Sequence, residues 1–164
     1  MKIVITGDTH VPHRATELPR TLLEAAGEAD AVIHTGDFNS IDSYHAFDEQ
    51  CRRLLAVRGN RDEGALADIL SKKLEFEMAG VRFVILHGDA YGRPRPSRLA
   101  REFAAEADVI VYGHLHHPYI VPFRECTVIN PGSPVEPRGS AAVYARATIQ
   151  EGTINASIVP LNDA

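Results

Sequence analysis

At 164 residues, with 45% hydrophobic and 24% charged side chains, the chain is expected to form one domain over residues 1–164. Its apolar runs fall far short of the roughly 20 residues of a spanning helix, and Met1 to Thr6 is too short for a secretion signal, which predicts a cytoplasmic protein with no membrane partner. A net charge of -5 argues against stable nucleic-acid binding, while Cys51 and Cys126 lack a C-x-x-C arrangement and read as ordinary reduced thiols.

Lys2 to Thr6 reads as a buried strand that passes at once into Gly7-Asp8-Thr9-His10, placing an acid and an imidazole at its carboxyl end. A loop with Pro12 and His13 leads to a helix from about Leu18 to Gly27, with Pro19 in its first turn and Gly27 as the stop. Ala31 to Thr35 is the next strand and runs into Gly36-Asp37-Phe38-Asn39-Ser40, where Ser40 or Asn39 is placed to cap a helix reaching about Gln50. Leu54 to Val57 makes a third strand, ending in Arg58-Gly59-Asn60-Arg61-Asp62. Three strand, loop and helix units in succession predict a parallel sheet with right-handed crossovers, whose sites lie at the carboxyl ends of its strands.

A short helix from about Ala65 to Leu70 precedes two strands, Leu74 to Met78 and Val81 to Leu86, separated by Ala79-Gly80 as in an antiparallel hairpin. The second strand delivers His87-Gly88-Asp89; a loop from Tyr91 to Ser97 then carries Arg93 and Arg95, with Ser97 as cap of a helix from Arg98 to Ala107. Asp108 and the apolar residues after it form a strand buried on both faces, and Gly113 releases it into His114-Leu115-His116-His117-Pro118. If the backbone stays extended across Leu115, His114 and His116 leave on the same side and can converge on a metal. Tyr119 to Phe123, Thr127 to Ile129, Ala141 to Thr148 and Thr153 to Val159 complete the chain as β structure. The expected architecture is α/β, two packed mixed sheets flanked by helices.

Five strand ends thus present Asp8 with His10, Asp37, Asn60, His87, and His114 with His116. The order D-x-H, G-D, G-N-x-D, H-G, G-H-x-H resembles that of the calcineurin-like metallophosphoesterases, and Asn130-Pro131-Gly132-Ser133-Pro134 with Pro137-Arg138 is similar to the small YfcE-type phosphodiesterases. The resemblance runs from Met1 to about Val159 and implies a four-layer α/β/β/α sandwich, which the retromer subunit of that shape shares. It also implies one metal held by Asp8, His10, Asp37 and His116 and a second held by Asp37, Asn60, His87 and His114, with Asp37 bridging. Imidazole, carboxylate and amide ligands without thiolate suit Mn²⁺, Fe, Ni²⁺ and Zn²⁺ alike and do not choose among them; manganese is the first expectation. Two such cations would lower the pKa of a shared water and neutralise the phosphoryl group that a bridging hydroxide attacks.

The expected activity is therefore hydrolysis of a small phosphate ester, most of all a diester, with Asn60, His87, Arg61 and Asp62 in the catalytic set. Many relatives carry His directly after the Asn to protonate the leaving group, whereas this chain has Arg61, which holds charge but cannot give up a proton. His13 and His117 are candidates for that role, and Arg93 and Arg138 for contacts to substrate phosphate. His34, within the second strand, reads as a packed histidine, and His45 as a helix-surface one. The chain lacks the D-x-D, H-x-H-x-D-H and G-x-G-x-x-G signatures of rival phosphatase, lactamase-like and dinucleotide-binding folds. A phosphomonoesterase or nucleotidase, and a non-catalytic scaffold resembling the retromer subunit, are the alternatives; homo-oligomerisation stays open.

Overall fold

In the computed structural model, which describes residues 1–161, the apolar strands of the first sixty residues line up in parallel as predicted. β1 (Lys2–Thr6) pairs with β2 (Ala31–His34), and β2 with β3 (Leu54–Ala56). The last two strands, β9 (Val143–Gln150) and β10 (Thr153–Pro160), return to the other edge, β9 lying antiparallel to β1 and β10 to β9. The first sheet has the order β10-β9-β1-β2-β3. The second, in the order β4-β5-β6-β8-β7, joins the hairpin of β4 (Lys73–Met78) and β5 (Val81–Leu86) to β6 (Val109–Tyr112), with β7 (Tyr119–Phe123) and β8 (Cys126–Asn130) beyond. Within it β5, β6 and β8 run parallel and the two outer strands antiparallel, giving two mixed sheets.

Side chains alternate across each strand, so each sheet has one face for its partner and one for helices. Ile3, Ile5 and Ile33 from the first sheet meet Phe83, Ile85, Val109, Val111 and Ile129 from the second in a buried layer. On the outer face of the first sheet, Val4 and Val32 pack against Leu22 and Ala26 of α1 (Arg20–Glu28), Phe47 of α2 (Ile41–Gln50) and Leu66 of α3 (Ala65–Ile69). On the outer face of the second, Val84, Ile110 and Val128 cover Leu99 and Phe103 of α4 (Pro96–Phe103). Helices therefore lie outside two central sheets, as expected. The last three residues of the predicted domain, 162–164, lie outside the described residues.

Helix boundaries differ from the sequence reading. α1 starts at Arg20 with Pro19 just before it, and Gly27 lies within the helix, not at its stop. α4 starts at Pro96, so Ser97 lies inside its first turn instead of capping it, and the helix ends at Phe103. A proline has no N–H to leave unsatisfied at the first helical position and its φ already suits the helix, which outweighs the cap preference of serine. Ser40 does cap α2, its Oγ accepting the Ser43 amide at 3.1 Å.

Candidate metal centre

The carboxyl ends of β1, β2, β3, β5 and β6 open at one end of the sandwich, where the two sheets are tied by polar contacts. The His114 amide, after β6, donates to Asp8 Oδ2, after β1, at 2.9 Å, and the His87 Nδ1 meets the Thr35 carbonyl at 2.8 Å. His114 and His116 do not leave an extended strand. Each has positive φ, +66° and +57°, and the Leu115 amide closes a tight turn on the Gly113 carbonyl at 2.8 Å. Convergence comes from that turn, which sends His116 toward His10 and His114 toward Asn60 and His87. Asp8, His10 and Asp37 share the left-handed backbone, at +52°, +47° and +61°. Each such residue costs on the order of 1 kcal/mol that the rest of the fold must offset.

The buried carboxylates are placed by close backbone approach. A Cβ on Gly113 would come within 2.8 Å of Asp8 Oδ2 and 2.5 Å of Thr35 Oγ1, so only glycine lets the β6 loop reach Asp8. A Cβ on Gly59 would collide with Asp37 Oδ1 and its amide nitrogen. Asp62, 4% exposed, accepts the amides of Asp37 and Gly59, each at 2.8 Å, and of Asn39 at 3.0 Å, so it holds the loops after β2 and β3 together. Replacing Gly59 by alanine is expected to lower stability by about 1–3 kcal/mol and to impair retention of two metals. Melting curves and metal analysis of purified Gly59→Ala check this, and a variant as stable and as fully loaded as the parent would contradict it.

A carbonyl oxygen only accepts, so its histidine partner must carry the proton. His87 Nδ1 donates to the Thr35 carbonyl at 2.8 Å, His116 Nδ1 to the Glu136 carbonyl at 2.7 Å, and His10 Nδ1 to Asn39 Oδ1 at 2.9 Å. The Nε2 atom of each ring is thereby turned inward, where it can offer a lone pair to a cation or hold a proton in its stead. His10 Nε2 and His116 Nε2 face each other at 3.2 Å, with Asp8 Oδ1 3.4 Å from the latter. Asp37 Oδ2 lies 3.7 Å from His10 Nε2 and 3.4 Å from His87 Nε2, between the two halves. Asn60 Oδ1 completes the second half, 3.0 Å from His87 Nε2 and 3.1 Å from His114 Nδ1. Ligand atoms of Asp8, His10 and His116 all lie within 4.8 Å of one another, as do those of Asp8, Asp37 and His87. Imidazole nitrogens, carboxylates and an amide oxygen converging on one point are the donor set of divalent cations, with the outer hydrogen bonds fixing each ring.

Ionisation tells the same story. Burial opposes a proton on His87, but its hydrogen bond to Asp37 and the charges of Asp8 and Asp37 push its pKa up to about 9. Burial likewise opposes charge on His116, and Asp8 overcomes it. Asp37 is held below the carboxylate range despite burial, by His87, the Arg61 amide and His10. The cage therefore attracts positive charge. His34 is the packed histidine expected: burial, reinforced by the charge of His87, keeps it neutral. Its Nδ1 accepts the Gly36 amide at 3.1 Å and its ring stacks on Phe38 with centroids 3.5 Å apart.

A cavity of about 450 Å³ opens over the cage, lined by His10, Asp37, Asn60, His114 and His116 and by His13, Arg61 and Arg138 at its wall. His117 and Arg93 are exposed and do not line it. Sequence reasoning passed over Asn39, Arg14 and Glu136, which also line it. The sequence offers Asn39 as a helix cap, although an amide following the Asp37 loop is a visible signal; Glu136 carries no signal beyond its place in the segment before Arg138.

The sequence pattern of the calcineurin-like phosphoesterase superfamily domain matches residues 1–152. A protein named probable metallophosphoesterase from Methanothermobacter thermautotrophicus is 34% identical over 140 residues, 84% of this chain and 80% of that one. One named phosphodiesterase from Methanocaldococcus jannaschii is 29% identical over 150 residues, covering 80% and 83%. Among solved structures, wild-type Vps29 from Entamoeba histolytica complexed with Zn²⁺ shares the fold at a TM-score of 0.79 and 20% identity, covering 99% of this chain and all of that one.

Proposed function

This chain belongs to the calcineurin-like phosphoesterase superfamily, and from that premise we propose that it is a phosphodiesterase using two divalent metal ions, manganese first among them. The observation that carries the proposal is the inward convergence of imidazole nitrogens on two buried carboxylates. Asp8, His10, Asp37 and His116 would hold one ion, and Asp37, Asn60, His87 and His114 the other. When bound, the pair supplies Lewis acidity and an activated water.

The chain's own part is to position and to balance charge. Arg61, whose amide donates to Asp37 Oδ1 at 2.8 Å, stands at the cavity wall where its guanidinium can pair with a phosphoryl oxygen; Arg138 offers a second cation there. Neither can protonate a leaving group, so that task is assigned to His13, which lines the same cavity. With Arg61 directly after Asn60, the proton must come from His13 at the wall and not from a histidine beside Asn60; this weaker supply favours esters with good leaving groups and supports the diester reading together with the name of the Methanocaldococcus relative. The substrate is then a small phosphate ester, met in the cytoplasm. Among the described residues no helix is long and apolar enough to cross a membrane.

The test is turnover of bis-p-nitrophenyl phosphate by chelator-stripped protein before and after manganese is returned. Activity that appears only with metal is expected; none with manganese, iron, nickel or zinc would leave the scaffold reading, which the Vps29 fold likeness keeps in view. A second variant probes the leaving group. Arg61→His should raise kcat/KM for monoesters with poor leaving groups by about tenfold or more, and activated diesters much less. An equal gain on both would remove the proton-supply argument.

A further inference from the structure

We propose that Glu136 selects the charge of the phosphate group this centre accepts, disfavouring dianionic monoesters more than monoanionic diesters. The proposal rests on the diesterase reading above. Glu136 is anchored from both sides: its amide donates to Ser133 Oγ at 2.8 Å, while its carbonyl takes the His116 Nδ1 proton at 2.7 Å. Ser133 Oγ in turn donates to the Asp8 carbonyl at 2.7 Å, so the acid is tied to the first-strand loop. Its carboxylate is divided between two neighbours. Oε1 meets Arg14 Nε at 3.2 Å, and Oε2 points at the cage, 4.0 Å from His10 Nε2 and 3.8 Å from His116 Nδ1.

Exposure decides which end of the Arg14–Glu136 pair the substrate feels. The arginine side chain is 59% exposed and strongly screened, while the glutamate is 28% exposed and turned inward, so its negative charge prevails at the cage. The other acid on the cavity wall, Glu63, is exposed. Glu136 therefore adds its negative charge to those of Asp8 and Asp37 beside the place where a phosphate would bind. A dianionic monoester meets that added charge with twice the repulsion felt by a monoanionic diester.

Coulomb energy scales with the product of charges, so a factor gained by a monoanion on removing Glu136 is squared for a dianion. Binding of inorganic phosphate and of dimethyl phosphate to the manganese-loaded protein at pH 8, measured by calorimetry, reads this without turnover. Glu136→Gln should tighten dimethyl phosphate about threefold and inorganic phosphate about tenfold. Arg14→Gln, which unmasks the carboxylate, should weaken both with the same ordering. In kinetics, the preference for bis-p-nitrophenyl phosphate over p-nitrophenyl phosphate should fall about threefold in Glu136→Gln. Equal tightening of the two anions, or none, overturns the assignment to Glu136. Intact charge ordering in a protein inactive on both esters would instead overturn the diesterase reading and leave Glu136 as a selector of bound anions.

Discussion

Asp37→Ala should cut manganese-dependent turnover of bis-p-nitrophenyl phosphate by at least about 10³-fold and leave fewer than two manganese ions per chain. Asp37 is the side chain whose loss reaches both halves of the cage, since its Oδ2 stands 3.7 Å from His10 Nε2 and 3.4 Å from His87 Nε2. Its Oδ1 also accepts the Arg61 amide, so the β3 loop loses an anchor with it. Metal Lewis acidity contributes several kcal/mol to a phosphoryl transition state, which is what sets the scale of the loss. Asp62→Asn is the comparison: that carboxylate meets backbone amides, so the variant should lose metal affinity only by about 10- to 100-fold. Unchanged turnover in Asp37→Ala, with a normal melting curve in chelator, would mean the chemistry happens elsewhere.

The strand ends were legible because β1, β2, β5 and β6 are nearly unbroken apolar runs, each stopped by a polar residue within one or two positions. A strand buried on both faces must read that way, and its carboxyl end is where this topology opens. What the sequence could not convey was the path between those ends. The extended geometry expected across Leu115 fails because nothing in His-Leu-His reports that both histidines adopt positive φ. Histidine and aspartate tolerate that region better than branched residues, but tolerance is not a signal. Glu136 and Asn39 were missed for a related reason. Their parts depend on a carbonyl, an amide and an ion pair brought from distant segments, and no local periodicity encodes those.

Metal removal should produce the other large effect, and its size should depend on pH. Manganese at about 100 times its dissociation constant stabilises by roughly 2.7 kcal/mol per site, or about 5–10 °C in melting temperature for a chain of this length. In the stripped protein a proton on His87 does part of the same work. Its folded pKa of about 9 lies above the unfolded value of 6.5, so that stabilisation is complete below pH 6.5 and fades as pH rises through 9. The amount at stake is on the order of 3 kcal/mol. Below 6.5 the balance reverses, because His34 is held neutral in the fold and the unfolded chain takes up the proton instead. Further into acid, Asp37 is protonated and its depressed pKa costs the fold more. Stripped protein should therefore melt highest near pH 6.5. Loaded protein should not decline on the alkaline side, since a cation on His87 Nε2 replaces the proton and competes better as protons become scarce. The gap between the two melting curves should widen from pH 6.5 to 9. A gap that stays constant or narrows across that range would show that the metals do not occupy the nitrogen that His87 turns toward Asp37.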